Sequence, residues 1–239
     1  SGLFIITIVA ILMGRLLGYS PESWSSLLQG AVRHNAFIAL AIAGSLFGDE
    51  GLAIGAMFML IYVPSINIVV ISVMVSNLKQ PGQAESSKGI ANIFIELIKN
   101  PFILSMIAGL LVSLIDSDKL IIINETSDLL GSAALPIMLL TIGAKIKVRD
   151  LALKITPIII SNSLKLIAFP ITTYFVATFM ELSQLEIVVA VIFASVPTAA
   201  SSHALAKQFG GDEHLMTSIL TTQVALSFIT IPLILAFVT

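Results

Sequence analysis

The chain has 239 residues, of which 57% are hydrophobic and 11% are charged, and its formal net charge is −2. Ordinary soluble domains are about 25% charged, so this sequence lacks the charged surface that would keep a large soluble fold dispersed. The sequence has no cysteine, which excludes disulfides and thiol chemistry, and it shows no basic patch or phosphate-binding loop for nucleic acid or nucleotides. We therefore predict an all-helical integral membrane protein whose solvent is the lipid bilayer.

Polar interruptions divide the chain into eight predicted transmembrane helices. They lie near residues 3–18, 24–47, 51–78, 90–115, 120–145, 151–179, 184–207 and 214–238. Residues 79–89, rich in Gly, Gln and Ser, form a predicted loop that separates residues 1–78 from residues 90–239. If all eight helices span, only Lys119 reaches one side, and nine basic residues reach the other: Arg15, Lys79, Lys88, Lys99, Lys145, Lys147, Arg149, Lys154 and Lys207. The positive-inside rule then predicts a cytoplasmic 79–89 loop.

A short motif recurs in the two parts of the chain. Gly48-Asp49-Glu50 and Gly211-Asp212-Glu213 each follow a helix rich in small residues and precede an apolar helix. Five predicted helices separate the copies, and an odd number inverts the second copy in the membrane, as in many secondary transporters. We expect two inverted five-helix repeats, of which residues 1–78 form the last three helices of the first repeat, about two N-terminal helices being absent, and residues 90–239 form the second.

Two polar interruptions fall inside predicted spans. Arg33-His34-Asn35 lies in the middle of the predicted helix at 24–47. The second interruption, Ser195 to His203 with Pro197, lies in the predicted helix at 184–207. Polar groups at this depth usually face a cavity and serve function, although Arg33 could reach an interface and His34 could be a hydrogen-bonded core residue. Pro197 breaks a helix, with or without a ligand role. Two broken helices that meet would direct their positive N-termini at a bound anion.

Three further polar residues lie within predicted spans. Asn67 follows Pro64, and Lys165 could hold an anionic substrate, pair with a carboxylate or be structural. Gln223 could line a cavity or hydrogen-bond between helices. No spacing of carboxylates, metal ligands or nucleophiles indicates an enzyme, so we expect neither catalysis nor a cofactor or metal.

Short motifs over most of the chain carry a resemblance to one family. In order they are RHN at 33–35 leading into GDEG at 48–51, NPF at 100–102, LPIMLLTIG at 135–143, KLIAFP at 165–170, SVPT at 195–198 and ALAK at 204–207. In this order and spacing the chain resembles the auxin efflux carrier family, which includes plant PIN-type carriers and bacterial malonate or malate permease-like proteins.

The resemblance implies a ten-helix fold with crossed broken helices in a transport domain, and carriage of organic anions by an elevator-type motion. In the plant carriers both crossover helices break at proline, and an asparagine follows the first proline. Pro197 and Asn35 match this pattern, but His34 stands where the first proline would be, which argues against auxin as the substrate. The plant carriers often have a long loop where this chain has the short 79–89 loop, so the resemblance favours a protein of a bacterial inner (plasma) membrane.

We therefore predict a secondary transporter of a small carboxylate. The predicted substrate-binding residues are His34, Asn35, Asn67, Pro197, Thr198 and Ser201, and the residues predicted to modulate charge are Arg33 and Lys165. Proton or sodium coupling and a homodimeric assembly are left open. The alternatives are a sodium-coupled carrier similar to bile-acid symporters and a membrane receptor that binds without transporting.

Overall fold

A computed structural model describes residues 2–78, 121–145 and 155–239, together with short helical stretches between residues 104 and 112. The described residues form helices and no strands. The helices are α1 (Gly2–Leu16), α2 (Pro21–Val32), α3 (Ala36–Asn77), α4 (Ile121–Lys145), α5 (Ile155–Ser163), α6 (Phe169–Phe179), α7 (Gln184–Ser195), α8 (Ser201–Phe209) and α9 (Glu213–Val238), with a π-helical turn, Leu164–Ala168, between α5 and α6. The predicted loop at 79–89 and most of the predicted helix at 90–115 lie outside the described residues.

Three described stretches are long and apolar enough to cross a bilayer. They are Pro21–Asn77, Ile155–Phe179 and Glu213–Val238, and α1 and α7 are shorter apolar helices. Since a span needs about 20 mainly apolar residues, these stretches confirm the prediction of an all-helical membrane protein. The count of eight spans and the inverted pairing of two repeats stay predictions.

The predicted helix at 24–47 is two helices in the structure, separated at residues 33–35. Arg33 has an extended backbone (φ −73°, ψ 155°) that ends α2. Asn35 then caps α3, since its side-chain oxygen accepts hydrogen bonds from the backbone N–H groups of Phe37 (3.2 Å) and Ile38 (3.3 Å). Asparagine is among the strongest N-cap residues because it satisfies backbone donors that the first helical turn leaves free.

The turn predicted at Gly48-Asp49-Glu50 lies within the range of α3, whose two parts pack against each other on either side of it. A Cβ atom at Gly55 would lie 2.9 Å from a Leu40 methyl group and one at Gly44 would lie 3.0 Å from a Leu52 methyl group, contacts that a continuous helix cannot make. Gly48 has φ 58° and ψ −143°, a conformation that is readily available only to glycine. The second copy of the motif does lie at a helix start, where the Asp212 carboxylate caps α9 by accepting from the Leu215 N–H at 3.0 Å. The first copy therefore lies at a turn within the range of α3, and the second lies at the turn between α8 and α9.

The predicted helix at 184–207 is also interrupted. Helix α7 ends where Val196 adopts an extended backbone (φ −68°, ψ 150°), as expected for a residue that precedes proline. Residues 196–200 are non-helical, and α8 starts at Ser201. Both interruptions therefore fall at the polar segments that the sequence singles out.

Helix α2 lies at the centre of the described fold. Every residue from Ser23 to Val32 is buried, and α2 contacts α1, α3, α5, α8 and α9. Gly30 allows the close approach of two neighbours, because a Cβ atom there would lie 2.3 Å from the Ser161 Oγ and 2.6 Å from an Ile219 methyl group. Small residues at helix contacts are typical of membrane proteins, and here they place the end of α2 deep in the bundle.

Candidate functional site

The two helix interruptions are in direct contact. The backbone N–H of Asn35 donates a hydrogen bond to the carbonyl of Pro197, with 2.8 Å between nitrogen and oxygen. An interrupted helix leaves backbone donors and acceptors without intrahelical partners, and at membrane depth these must be satisfied within the protein. Each interruption therefore satisfies part of the hydrogen bonding of the other.

Gln223 of α9 joins the same two interruptions from the side. Its Oε1 accepts from the Thr198 N–H at 2.9 Å, and its Nε2 donates to the Gly30 carbonyl at 3.0 Å. The Thr198 hydroxyl also donates to the Gln29 carbonyl, at 3.3 Å. Gln223 and Thr198 are fully buried. Of the two roles considered for Gln223, the structure supports hydrogen bonding between helices.

A cavity of about 70 Å³ opens beside the contact between the interruptions. Helix α3 supplies its wall, and the segment before α8 closes one side. The lining residues are Arg33, His34, Asn35, Ala36, Phe37, Met59, Val63, Ile66, Asn67, Ala199, Ala200 and Ser201. The lining thus combines one guanidinium group, a few neutral polar groups and several apolar side chains.

Arg33 is the charged group of this cavity. Its side chain is only 8% exposed. One terminal nitrogen donates to the Asn67 Oδ1 at 3.0 Å and the other to the Ser201 Oγ at 3.0 Å, while Nε is buried without a partner among the described residues. A guanidinium has five N–H donors, so most of the donor capacity remains. Arg33 therefore turns inward rather than extending to a membrane interface.

Arg33 has no carboxylate partner in the part of the chain that the structure describes. Its two described hydrogen bonds both go to neutral groups, the Asn67 amide and the Ser201 hydroxyl. A cation inside a membrane protein is costly unless it is paired, solvated or facing a water-filled cavity. Arg33 is thus a buried cation whose described partners leave its charge unneutralised.

Two helix N-termini border the same cavity. Ala36 and Phe37 are the first residues of α3, and Ala199, Ala200 and Ser201 lead into α8. The N-terminus of a helix carries a partial positive charge and favours anions. The helix N-termini and the guanidinium therefore both favour a negatively charged ligand.

His34 is buried in an aromatic environment. Its ring packs edge-on against Tyr62, with 4.3 Å between centroids, and against Phe193 at 5.6 Å. Both ring nitrogens are buried, and neither has a hydrogen-bond partner within the described ranges. The structure therefore does not show His34 as a hydrogen-bonded core residue, and the imidazole contributes to the cavity wall through ring contacts.

Five of the eight predicted site residues line this cavity: Arg33, His34, Asn35, Asn67 and Ser201. The other three do not line it. Pro197 and Thr198 lie behind it, where they hydrogen-bond to Asn35 and to Gln29 and Gln223. Lys165 is fully buried in the π-helical turn, with its Nζ 4.6 Å from the centroid of the Phe169 ring and no hydrogen-bond partner among the described residues.

The apolar lining residues were not predicted from the sequence. Met59, Val63 and Ile66 lie on α3 at eight, four and one residues before Asn67. Residues spaced by three, four or seven share one face of a helix. Two successive steps of four back from Asn67 reach Val63 and Met59, whereas Ile66 directly precedes Asn67 and would not have been found in this way.

Comparison with known proteins identifies the family of this chain. A family model described as membrane transport protein matches residues 2–235. No curated protein matches the chain. With nearly the whole chain matched, the protein belongs to the membrane transport protein family, that of the auxin efflux carriers and PIN-like proteins.

Proposed function

We propose that this protein is a secondary transporter of a small organic anion and that Arg33 holds the carboxylate of the transported molecule. The observation that carries the proposal is a buried guanidinium without a described carboxylate partner at the wall of a cavity. A carboxylate can accept two parallel hydrogen bonds from a guanidinium, and such charge-assisted pairs are about twice as strong as neutral hydrogen bonds.

The neutral partners of Arg33 support a binding role. Asn67 and Ser201 each accept from a different terminal nitrogen, which fixes the plane of the guanidinium without neutralising its charge. A side chain that is already held in place loses less conformational entropy when a ligand binds. The proposal therefore gives Asn67 and Ser201 a positioning role and leaves Asn35, at the start of α3, as a further polar contact for the anion.

The hydrogen bonds around Gln223 support movement of the site as one body. They connect the end of α2, the segment before α8 and α9, and the Asn35–Pro197 bond adds α3. In an elevator-type mechanism such a unit would carry the anion between the two faces of the membrane. We propose this motion in a bacterial inner membrane with the 79–89 loop on the cytoplasmic side.

We keep Lys165 as a residue that modulates charge during transport. The support is its complete burial in a π-helical turn, since such turns occur frequently at functional sites. Measuring uptake with a proton gradient, with a sodium gradient and with neither distinguishes the modes of coupling. Sodium-independent uptake excludes the sodium-coupled symporter alternative.

The test is uptake of labelled organic acids by proteoliposomes containing the wild type, Arg33→Gln or Arg33→Lys. We expect saturable uptake in the wild type, loss of at least tenfold in uptake efficiency in Arg33→Gln, and partial retention in Arg33→Lys, which keeps the charge but not the planar fork. Arg15→Gln is the matched control, because Arg15 is exposed at the end of α1. Unchanged uptake by Arg33→Gln would refute the assignment, and Arg33-dependent binding without flux would favour a receptor.

A further inference from the structure

The cavity offers one cationic anchor. Among its described lining residues only Arg33 has a permanently charged side chain, and the other polar groups are the amides of Asn35 and Asn67 and the hydroxyl of Ser201. The His34 ring nitrogens are buried away from the cavity surface, and Lys165 does not line it. One bidentate cation matches one carboxylate.

The rest of the lining is apolar. Met59, Val63 and Ile66 contribute hydrocarbon from α3, and Phe37, Ala199 and Ala200 contribute it from the two helix starts. A second carboxylate in this lining would lose water without gaining a charged partner, which is costly. A hydrocarbon group placed against the same side chains would gain free energy by leaving water.

The size of the cavity limits the hydrocarbon group. Its volume is about 70 Å³, whereas pockets that enclose drug-sized ligands measure about 300–1,000 Å³. A chain of a few carbons is therefore compatible with the cavity, and a large ring system is not.

We infer that the anion bound by this cavity is a short-chain aliphatic monocarboxylate, with its carboxylate on Arg33 and its tail against Met59, Val63 and Ile66, and that short dicarboxylates bind more weakly. This inference rests on the proposed function and specifies its substrate class. A missing methylene in an apolar pocket typically changes affinity by about tenfold or more, so affinity rises with tail length until the cavity is full and then falls.

The experiment is a thermal-shift titration of the purified full-length protein with acetate, propionate, butyrate, malonate and succinate at pH 7.5, where all of these acids are essentially fully ionised. Competition against the best monocarboxylate supplies relative affinities. We expect propionate or butyrate to bind at least tenfold more tightly than malonate or succinate, and Arg33→Gln to abolish every shift.

Two lining variants test the role of the tail. Val63→Thr keeps the shape of the side chain but replaces a methyl group by a hydroxyl. It should therefore lower the affinity for butyrate several-fold relative to the affinity for acetate. Met59→Lys adds a second cation at a half-buried position, so it should raise the affinity for malonate relative to propionate by about tenfold. The ligand-free melting temperature of each variant shows whether it is folded. If Met59→Lys is not folded, Val63→Thr alone tests the contact with the tail.

The outcomes separate the inference from the proposed function. Arg33-dependent binding that is tighter for malonate or succinate than for propionate and butyrate overturns the inference and leaves organic-anion transport intact. If Val63→Thr lowers the affinities for acetate and butyrate equally, the inference is also overturned, because the tail of the ligand would then not contact Val63. The absence of any Arg33-dependent shift with all five acids overturns the proposed function itself.

Discussion

Replacing Gln223 by methionine tests whether the two helix interruptions depend on one buried amide. Methionine has a similar length and keeps the apolar contacts, but it can neither accept from the Thr198 N–H nor donate to the Gly30 carbonyl. Both backbone groups would then be unpaired inside the bundle. The substitution therefore removes the hydrogen bonds and preserves most of the packing.

The magnitude follows from two lost hydrogen bonds. Hydrogen bonds between transmembrane helices contribute about 0.6 kcal/mol each on average, and a buried group left unsatisfied costs about 1–3 kcal/mol. Gln223→Met should thus lower the free energy of unfolding by about 1–6 kcal/mol. We expect the upper part of this range because Gln223 is completely buried, with no exposed surface through which water could replace either bond.

The assay is reversible unfolding in mixed micelles, followed by uptake in proteoliposomes. Gln184→Met is the matched control, because Gln184 is exposed at the start of α7 and donates a single bond, at 2.8 Å, to the Val238 carbonyl. We expect a loss of uptake in Gln223→Met that is larger than the loss in Gln184→Met. Wild-type stability and uptake in Gln223→Met would refute the conclusion that this amide holds the interruptions together.

Three further predictions concern the same bundle. Asn35→Ser keeps a capping oxygen and Asn35→Ala does not, so Asn35→Ala should be less stable than Asn35→Ser by about 1 kcal/mol. Both variants lose the amide at the cavity, and equal melting temperatures of the two would contradict the capping role. Gly30→Ala should destabilise by about 1–3 kcal/mol through its clash with Ser161, whereas Gly131→Ala, which has open space around it, should be neutral or slightly stabilising in the same unfolding assay. Lys165→Met should keep or raise stability, because it removes a buried cation that has no described hydrogen-bond partner, and it should flatten the response of uptake to a proton gradient; a loss of several kcal/mol would indicate a structural bond to the ammonium.

The sequence alone determined the class of protein and the location of its irregularities. Long apolar runs have few ways to bury themselves except in a bilayer, and the three long described stretches agree with this. Arg33-His34-Asn35 and Pro197 were recognisable because polar groups and proline inside an apolar run are local signals. The boundary near Gly48 was recognisable from its glycine, and the structure has a non-helical backbone there with the two parts of α3 packed against each other; glycine permits the positive φ that this turn requires.

Only the tertiary structure decided what each polar residue does. Thr198 and Arg33 are both polar residues at helix interruptions, yet Thr198 hydrogen-bonds to Gln29 and Gln223 behind the cavity while Arg33 forms its wall. Lys165 is as apparent in the sequence as Arg33 but does not line the cavity. The physical reason is that a hydrogen bond between segments more than a hundred residues apart, such as Asn35 to Pro197, depends on how the helices pack. The sequence therefore indicated which residues are expensive to bury, and the packing of α2, α3, α8 and α9 decided which of them face the cavity.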